Sequence, residues 1–63
     1  MSTTTNTFAN RDFPQGIRSD DRNYILDYIA EEGLSGLFID DTGHKSIYTN
    51  GRFDAAASAL VRN

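Results

Sequence analysis

Two short apolar-rich segments lie on either side of Asp41-Thr42-Gly43, and this arrangement predicts a β-hairpin. The first segment covers residues 37–40 and the second covers residues 44–48. A three-residue loop with Gly43 at its last position suits a type I turn followed by a one-residue bulge, because glycine takes positive φ without steric cost. We therefore expect Gly43 to have a left-handed backbone conformation.

The hairpin loop also predicts the register of the two strands. In this register Asp40 lies opposite His44 and Phe38 lies opposite Ser46, so Leu37 lies opposite Ile47. Because side chains alternate along a strand, one sheet face carries Phe38 and Tyr48. The other face carries three aliphatic residues, Leu37, Ile39 and Ile47. We expect the aliphatic face to pack on helices and the aromatic face to stay exposed.

A helical pattern precedes the hairpin. It begins near Ser19 or Asp20, either of which can cap a helix, and it ends at Gly33, a natural left-handed residue after a helix. Its apolar face is formed by Ile25, Leu26 and Ile29. The spacing of these residues predicts one amphipathic helix before the first strand.

A second helical pattern follows the hairpin and is the cleanest amphipathic pattern in the chain. Its apolar positions recur at helical spacing at Phe53, Ala56, Ala57, Leu60 and Val61. Asn50-Gly51 before it is ambiguous, because Asn-Gly is also the strongest signal for a two-residue hairpin turn. A third strand at residues 52–54 is the alternative, but we favour a turn that leads into the helix, since only three residues precede the alanine run.

Residues 1–16 are polar and lack periodicity, and they predict a flexible N-terminal tail. Phe8 and Phe13 interrupt this composition. Either the aromatic residues contact a partner or they cover the small core, and we favour the core because a chain of this size needs additional apolar cover. The predicted organisation is therefore a tail at residues 1–16 and an α+β domain at residues 17–63, with a helix–hairpin–helix order.

Length and composition narrow the function classes. Sixty-three residues allow one domain with a small core, and the absence of cysteine excludes disulfides, thiolate metal sites and cysteine nucleophiles. His44 is the only histidine, which excludes a histidine-rich metal site within one chain. No apolar run is long enough to span a bilayer, and residues 1–7 do not resemble a signal peptide. We expect a cytoplasmic protein that self-associates or is stabilised by a partner, through Phe38, Tyr48 or the alanine-rich helix.

The charge balance argues against direct nucleic-acid binding. Nine acidic and six basic residues give a formal net charge of −3, and the basic residues are scattered singly. A nucleic-acid-binding protein normally has a basic stripe, because neutralisation of phosphates drives its affinity. A nucleic-acid-binding accessory protein is therefore only the third function that we consider.

The loop residues resemble two kinds of catalytic site. Asp41-Thr42-Gly43 has the tripeptide of an aspartic-protease loop, but such enzymes need two carboxylates in a cleft between substantial β-barrel halves, so we favour a glycine turn. Asp40, Asp41 and His44 could hold a metal or act as a base, but two strands and two helices offer little concavity. We predict no enzyme activity, metal, cofactor or small-molecule substrate.

Acidic residues concentrate on the first predicted helix and at the hairpin tip. They indicate either a solvated surface that keeps the protein soluble, which is the commoner meaning, or a patch for a basic protein. The predicted function is a small acidic protein-binding module, a regulator or inhibitor; by class-level analogy, compact inhibitors from phages and mobile elements share this profile. The alternative is a structural subunit of a homo-oligomer or larger particle. The candidate partner-binding residues are Asp27, Glu31, Asp40, Asp41, Phe38 and Tyr48.

Overall fold

The computed structural model describes residues 5–62, which form one antiparallel sheet and two helices. The elements in chain order are β1 (Asn6–Ala9), β2 (Ile17–Ser19), α1 (Arg22–Glu32), β3 (Gly36–Ile39), β4 (Lys45–Thr49), β5 (Arg52–Asp54) and α2 (Ala55–Arg62). The strand order in the sheet is β2-β1-β3-β4-β5, and every neighbouring pair is antiparallel. The α+β class is therefore confirmed. The helix–hairpin–helix order is wrong, because β1, β2 and β5 join the two predicted strands.

The predicted tail is wrong for residues 6–9, because they form β1, an inner strand between β2 and β3. Phe8 of β1 is completely buried, so its role as cover for the core is confirmed. Asn6 is also buried; its amide donates to the carbonyl of Ser19 at 3.3 Å and accepts from the backbone N–H of Asp41 at 3.1 Å. The polar composition of this segment thus gave no indication of a strand. The buried amide of Asn6 links β1 to β2 and to the loop that contains Asp41. Residues 1–4 of the predicted tail lie outside the described residues.

The β3–β4 hairpin has the predicted register, with Leu37 opposite Ile47 and Phe38 opposite Ser46. Gly43 has a φ of 86°, as expected for the last residue of the loop. The backbone N–H of Gly43 donates to the carbonyl of Asp40 at 2.9 Å, which closes the turn. Asp41-Thr42-Gly43 is therefore a structural loop between two strands.

The turn between β4 and β5 contradicts our preferred interpretation and confirms the alternative. Asn50 and Gly51 have φ values of 52° and 80°, which is the conformation of a type I′ turn. Residues 52–54 consequently return as a third strand of the meander, and α2 begins directly after it. The Asn-Gly signal was the stronger one because its backbone twist matches that of the flanking strands.

Helix α1 begins later than predicted, with Asp21 as the N-cap residue. A carboxylate oxygen of Asp21 accepts from the backbone N–H of Tyr24 at 3.1 Å, while the Ser19 hydroxyl accepts from the N–H of Asp21. Gly33 ends the helix with a φ of 66°, as predicted. The cap signals therefore located the helix within two residues.

The core lies between α1 and the aromatic face of the sheet, and this corrects our expectation that the aromatic face is exposed. Among the residues that the structure describes, the fully buried apolar ones are Phe8, Ile25, Ile29 and Phe38. Phe8 and Ile17 add to the face that carries Phe38, since Phe8 lies opposite both residues in the register. The two N-terminal strands make this face wide enough to receive α1, which a two-stranded hairpin could not do.

Helix α2 does not bury the apolar stripe that its sequence predicts. It lies along the outer edge of β4, where the buried Ser58 hydroxyl accepts from the N–H of Ile47 at 2.7 Å and donates to the carbonyl of Asp54 at 2.6 Å. The Arg62 guanidinium donates to the carbonyl of Lys45 at 2.7 Å. Polar residues thus face inward because they satisfy the edge of the sheet, and Leu60 remains 75% exposed. Within residues 5–62 neither helix has the length and apolarity needed to cross a membrane.

Candidate functional site

The exposed side of α1 carries an alternation of aromatic and acidic side chains. Four residues at helical spacing form it, and we call them the α1 stripe: Tyr24, Asp27, Tyr28 and Glu31. Tyr24 is 57% exposed, and its ring stacks on that of Tyr28 with centroids 6.5 Å apart and planes at 19°. The stack places the exposed ring of Tyr24 against the half-buried ring of Tyr28, and each ring has a carboxylate three residues further along the helix.

The two carboxylates of the α1 stripe are available for external contacts. Asp27 and Glu31 are exposed, and within the described part of the chain neither takes part in an ion pair. Glu31 and Glu32 also occupy the last turn of α1, where no basic residue is present. Negative charge at a helix C-terminus opposes the helix dipole and lowers stability slightly. A local arrangement that costs stability is typical of a surface used for binding.

Asp40 has a different role from the one expected of a partner-binding residue. One of its carboxylate oxygens accepts from the Thr42 hydroxyl at 2.7 Å, from the Thr42 N–H at 3.0 Å and from the His44 N–H at 2.8 Å. The other oxygen lies 3.6 Å from a guanidinium nitrogen of Arg22. The Thr42 hydroxyl and the backbone N–H groups of His44 and Thr42 lower the pKa of Asp40, although desolvation opposes them. Asp40 therefore holds the hairpin turn together, while the side chain of Asp41 is exposed beside it.

We expect Asp40→Asn to lower the free energy of unfolding by about 1 kcal/mol at neutral pH, because a neutral amide accepts these hydrogen bonds more weakly than a carboxylate. Since the pKa of Asp40 is lowered in the folded state, its contribution is present above the ordinary aspartate pKa and is lost as the pH falls through the folded value. Urea unfolding of both proteins at neutral pH and at about pH 3 checks this. The difference should shrink at the lower pH.

The two aromatic candidates of the hairpin belong mainly to the core. Phe38 is 1% exposed, so it cannot serve as a surface anchor without unfolding. Tyr48 is half-buried and contacts Phe38 edge-on, with centroids 6.1 Å apart. The exposed aromatic residues are instead Phe53, which is 50% exposed, and Tyr24. The i, i+4 spacing of Tyr24 and Tyr28, outside the periodicity of the buried isoleucines, was the signal in the sequence for this surface.

The second face of the sheet has an aliphatic centre, and we call it the open sheet face. The register places Arg18, Thr7, Ile39 and Lys45 in one row across four strands, and Ala9, Leu37, Ile47 and Asp54 in the next. None of these side chains belongs to the core cluster beneath α1. Because α1 covers the opposite face and α2 follows the edge of β4, no helix within residues 5–62 crosses the centre of this face.

Three of the six basic residues of the chain lie on the open sheet face: Arg18, Lys45 and Arg52. Arg52 belongs to this face because it pairs with Thr49, which alternates with Ile47 and Lys45 along β4. Among residues 5–62, the one carboxylate on this face belongs to Asp54, which accepts from the N–H of Ala57 at 3.0 Å as the cap of α2. The molecule is thus electrically polarised, with carboxylates on the outside of α1 and cations on the opposite side of the sheet.

The described residues contain no ready-made metal site. Between residues 5 and 62, no three His, Asp or Glu side chains lie close enough together to hold a metal ion. The concave regions found there are open to solvent, and one lies between residues 10–12 and residues 32–35.

Comparison with known proteins does not assign either surface. The chain matches no protein-family model, no curated protein and no solved structure.

Proposed function

We propose that the protein is a small acidic protein-binding module that docks through the α1 stripe on a basic surface of a macromolecular partner. The observation that carries this proposal is the stack of the exposed Tyr24 ring on the half-buried Tyr28 ring, flanked by the carboxylates of Asp27 and Glu31, which form no ion pair in the described structure. Tyrosine is enriched among residues that dominate binding energy, because it buries a large area with few rotatable bonds.

The charges of the stripe supply attraction at a distance. The formal net charge is −3, and the basic residues of the sheet lie on the side away from the stripe. A basic partner is therefore drawn towards the outside of α1 before contact, which raises the association rate. The tyrosine rings then supply the contact area that slows dissociation.

A partner with a basic surface suggests a regulatory role. A surface that binds phosphates is basic, so an acidic module that covers it competes with nucleic acid. In this proposal the protein regulates or inhibits its partner by occupying that surface in the cytoplasm. A purified complex that binds nucleic acid as well as the free partner does would contradict the inhibitory role.

Reversal of the stripe charges tests the proposal directly. We expect Asp27→Lys with Glu31→Lys to reduce capture of the partner from source-cell lysate at least tenfold, with nuclease added so that bridging nucleic acid is removed. The control is Asp12→Lys with Asp20→Lys, which changes the net charge equally at exposed positions outside α1. With the identified partner, surface plasmon resonance should show a slower association rate for the stripe variant, and a similar slowing of the wild type by salt.

The pair of variants separates a specific surface from a general charge effect. Equal losses in both variants would mean that only net charge matters, and undiminished capture by the stripe variant would remove the α1 stripe from the proposal. Circular dichroism of each variant establishes that its helices and sheet are intact.

A further inference from the structure

We propose that the open sheet face is the docking site for the α1 stripe of a second copy of this chain, so that copies associate head to tail. The inference rests on the proposed role of the stripe as a ligand for basic surfaces. It also specifies one such surface, which the same chain carries on its other side. The self-association expected from the small core then uses neither Phe38 nor Tyr48.

The open sheet face has the dimensions of a helix-binding surface. Arg18 on β2 and Lys45 on β4 lie in one row, with Thr7 and Ile39 between them. The two basic residues are three strand spacings apart, which is a distance of about 14 Å across the sheet, perpendicular to the strands. A helix is about 10 Å wide with its side chains, so it fits between the two basic residues and rests on the aliphatic centre.

Charge decides which occupant fits this face. If two open sheet faces packed against each other, the interface would contain Arg18, Lys45 and Arg52 from both copies, and their like charges would repel one another. The α1 stripe brings the opposite charge, with Asp27 and Glu31 beside the exposed Tyr24 ring and the half-buried Tyr28 ring. The complementary surfaces of this molecule are therefore the outside of α1 and the open sheet face.

The position of the two surfaces makes the association open-ended. The helix α1 packs on one face of the sheet and the open sheet face is the other, so one molecule cannot bring its own two surfaces together. Each copy that docks through its α1 stripe presents a free open sheet face to the next copy. Such a heterologous contact generates rows or rings of subunits, in contrast to a closed symmetric dimer.

The same geometry makes self-association and partner binding compete. A stripe buried on the sheet of a second copy is not accessible to an external basic protein. Association therefore stores the protein in an inactive form at high concentration, and dilution or excess partner releases it. This couples the amount of active protein to its total concentration.

Sedimentation velocity with charge-reversed variants tests the proposal. The wild type should exceed the mass of a single chain, 7.0 kDa, increasingly from low micromolar to submillimolar concentration, and added salt should reduce the effect. The stripe variant, Asp27→Lys with Glu31→Lys, and the face variant, Arg18→Glu with Arg52→Glu, should each sediment as single chains. The control Asp12→Lys with Asp20→Lys should associate like the wild type.

A mixture of the two variants provides the decisive measurement. The basic stripe of one variant complements the acidic face of the other, so an equimolar mixture should associate although neither variant does so alone. A wild type that stays a single chain at every concentration overturns the proposal. So does a mixture that fails to associate, or association that only the face variant abolishes, since the latter would indicate two open sheet faces in contact.

The face variant also separates this inference from the proposed function. Arg18 and Arg52 lie outside the α1 stripe, so the face variant should capture the external partner at least as well as the wild type. If stripe-dependent capture is observed without self-association, the present inference fails and the proposed function stands. If salt-sensitive head-to-tail association is observed without capture of any basic partner, the proposed function fails and the self-association stands.

Discussion

Phe8→Ala is expected to unfold most of the protein at room temperature. Phe8 is completely buried, lies opposite Ile17 and Phe38 in the sheet, and packs in the same cluster as Ile25 and Ile29 of α1. Truncation of a buried phenylalanine costs about 3–5 kcal/mol through lost burial and the cavity that remains. A domain of this size has only about 3–5 kcal/mol of net stability, so the loss is comparable to the whole.

The matched variant is Phe13→Ala, in the loop between β1 and β2. Phe13 is half-buried and lies outside the core cluster, so its truncation should leave the fold intact with a loss of about 1 kcal/mol. Thermal unfolding followed by circular dichroism checks both variants, with urea titration where a folded baseline exists. If Phe8→Ala melts like Phe13→Ala, then β1 is a peripheral strand and the domain begins near residue 17, as the composition alone suggested.

The parts of the fold that the sequence predicted are those set by short-range backbone preferences. The register of the β3–β4 hairpin, the positive φ of Gly43 and the end of α1 at Gly33 all depend on a glycine within a few residues. Asn50-Gly51 belongs to the same class, and we underestimated it because the alanine run nearby favoured an early helix. The backbone preferences of neighbouring residues therefore determine these features, with little contribution from contacts between distant segments.

The features that sequence reasoning missed depend on contacts between distant segments. The strand β1 is stabilised by Asn6, whose side-chain amide forms hydrogen bonds with the backbone of residues 19 and 41. No pattern of neighbouring residues in the sequence predicts these hydrogen bonds. In α2, Ser58 faces inward although the hydrophobic periodicity predicts that Leu60 does. The Ser58 hydroxyl forms hydrogen bonds with the backbone at the edge of β4, whereas Leu60 stays exposed. The amphipathic pattern therefore predicted a helix correctly but indicated the wrong buried face.

Some residues of the candidate site could likewise be placed from the sequence, and others could be placed only from the structure. Asp27 and Glu31 could be identified because charged residues on a helix face solvent unless they are paired. Asp40 and Phe38 could not be placed without the structure, since one belongs to the turn and the other lies beneath α1. The open sheet face could not be predicted from a two-stranded hairpin, because Arg18 reaches it only through β2.

Gly36→Ala is expected to disrupt the pairing of β1 with β3 and to cost about 3 kcal/mol or more. A Cβ atom at residue 36 would collide with the carbonyl oxygen of Ala9 and would lie 2.7 Å from the Cβ of Asn10. It would also lie 3.0 Å from the Phe8 ring. Close-packed interiors relax little, and insertion of even one methyl group between backbone segments forces strands apart. The substitution therefore acts on the strand that carries Phe8.

Gly43→Ala separates this steric effect from backbone strain. Gly43 has a φ of 86°, and no atom beyond its chain neighbours lies within 4 Å of the added Cβ. Its substitution should therefore cost only about 1–2 kcal/mol through the left-handed conformation. Urea unfolding monitored by tyrosine fluorescence measures both losses, and hydrogen exchange locates them. We expect Gly36→Ala to expose the amides of β1 and β3, whereas Gly43→Ala should leave β1 protected. Equal effects of the two variants, or unchanged protection of β1 in Gly36→Ala, would mean that β1 does not pack against Gly36 as the sheet requires.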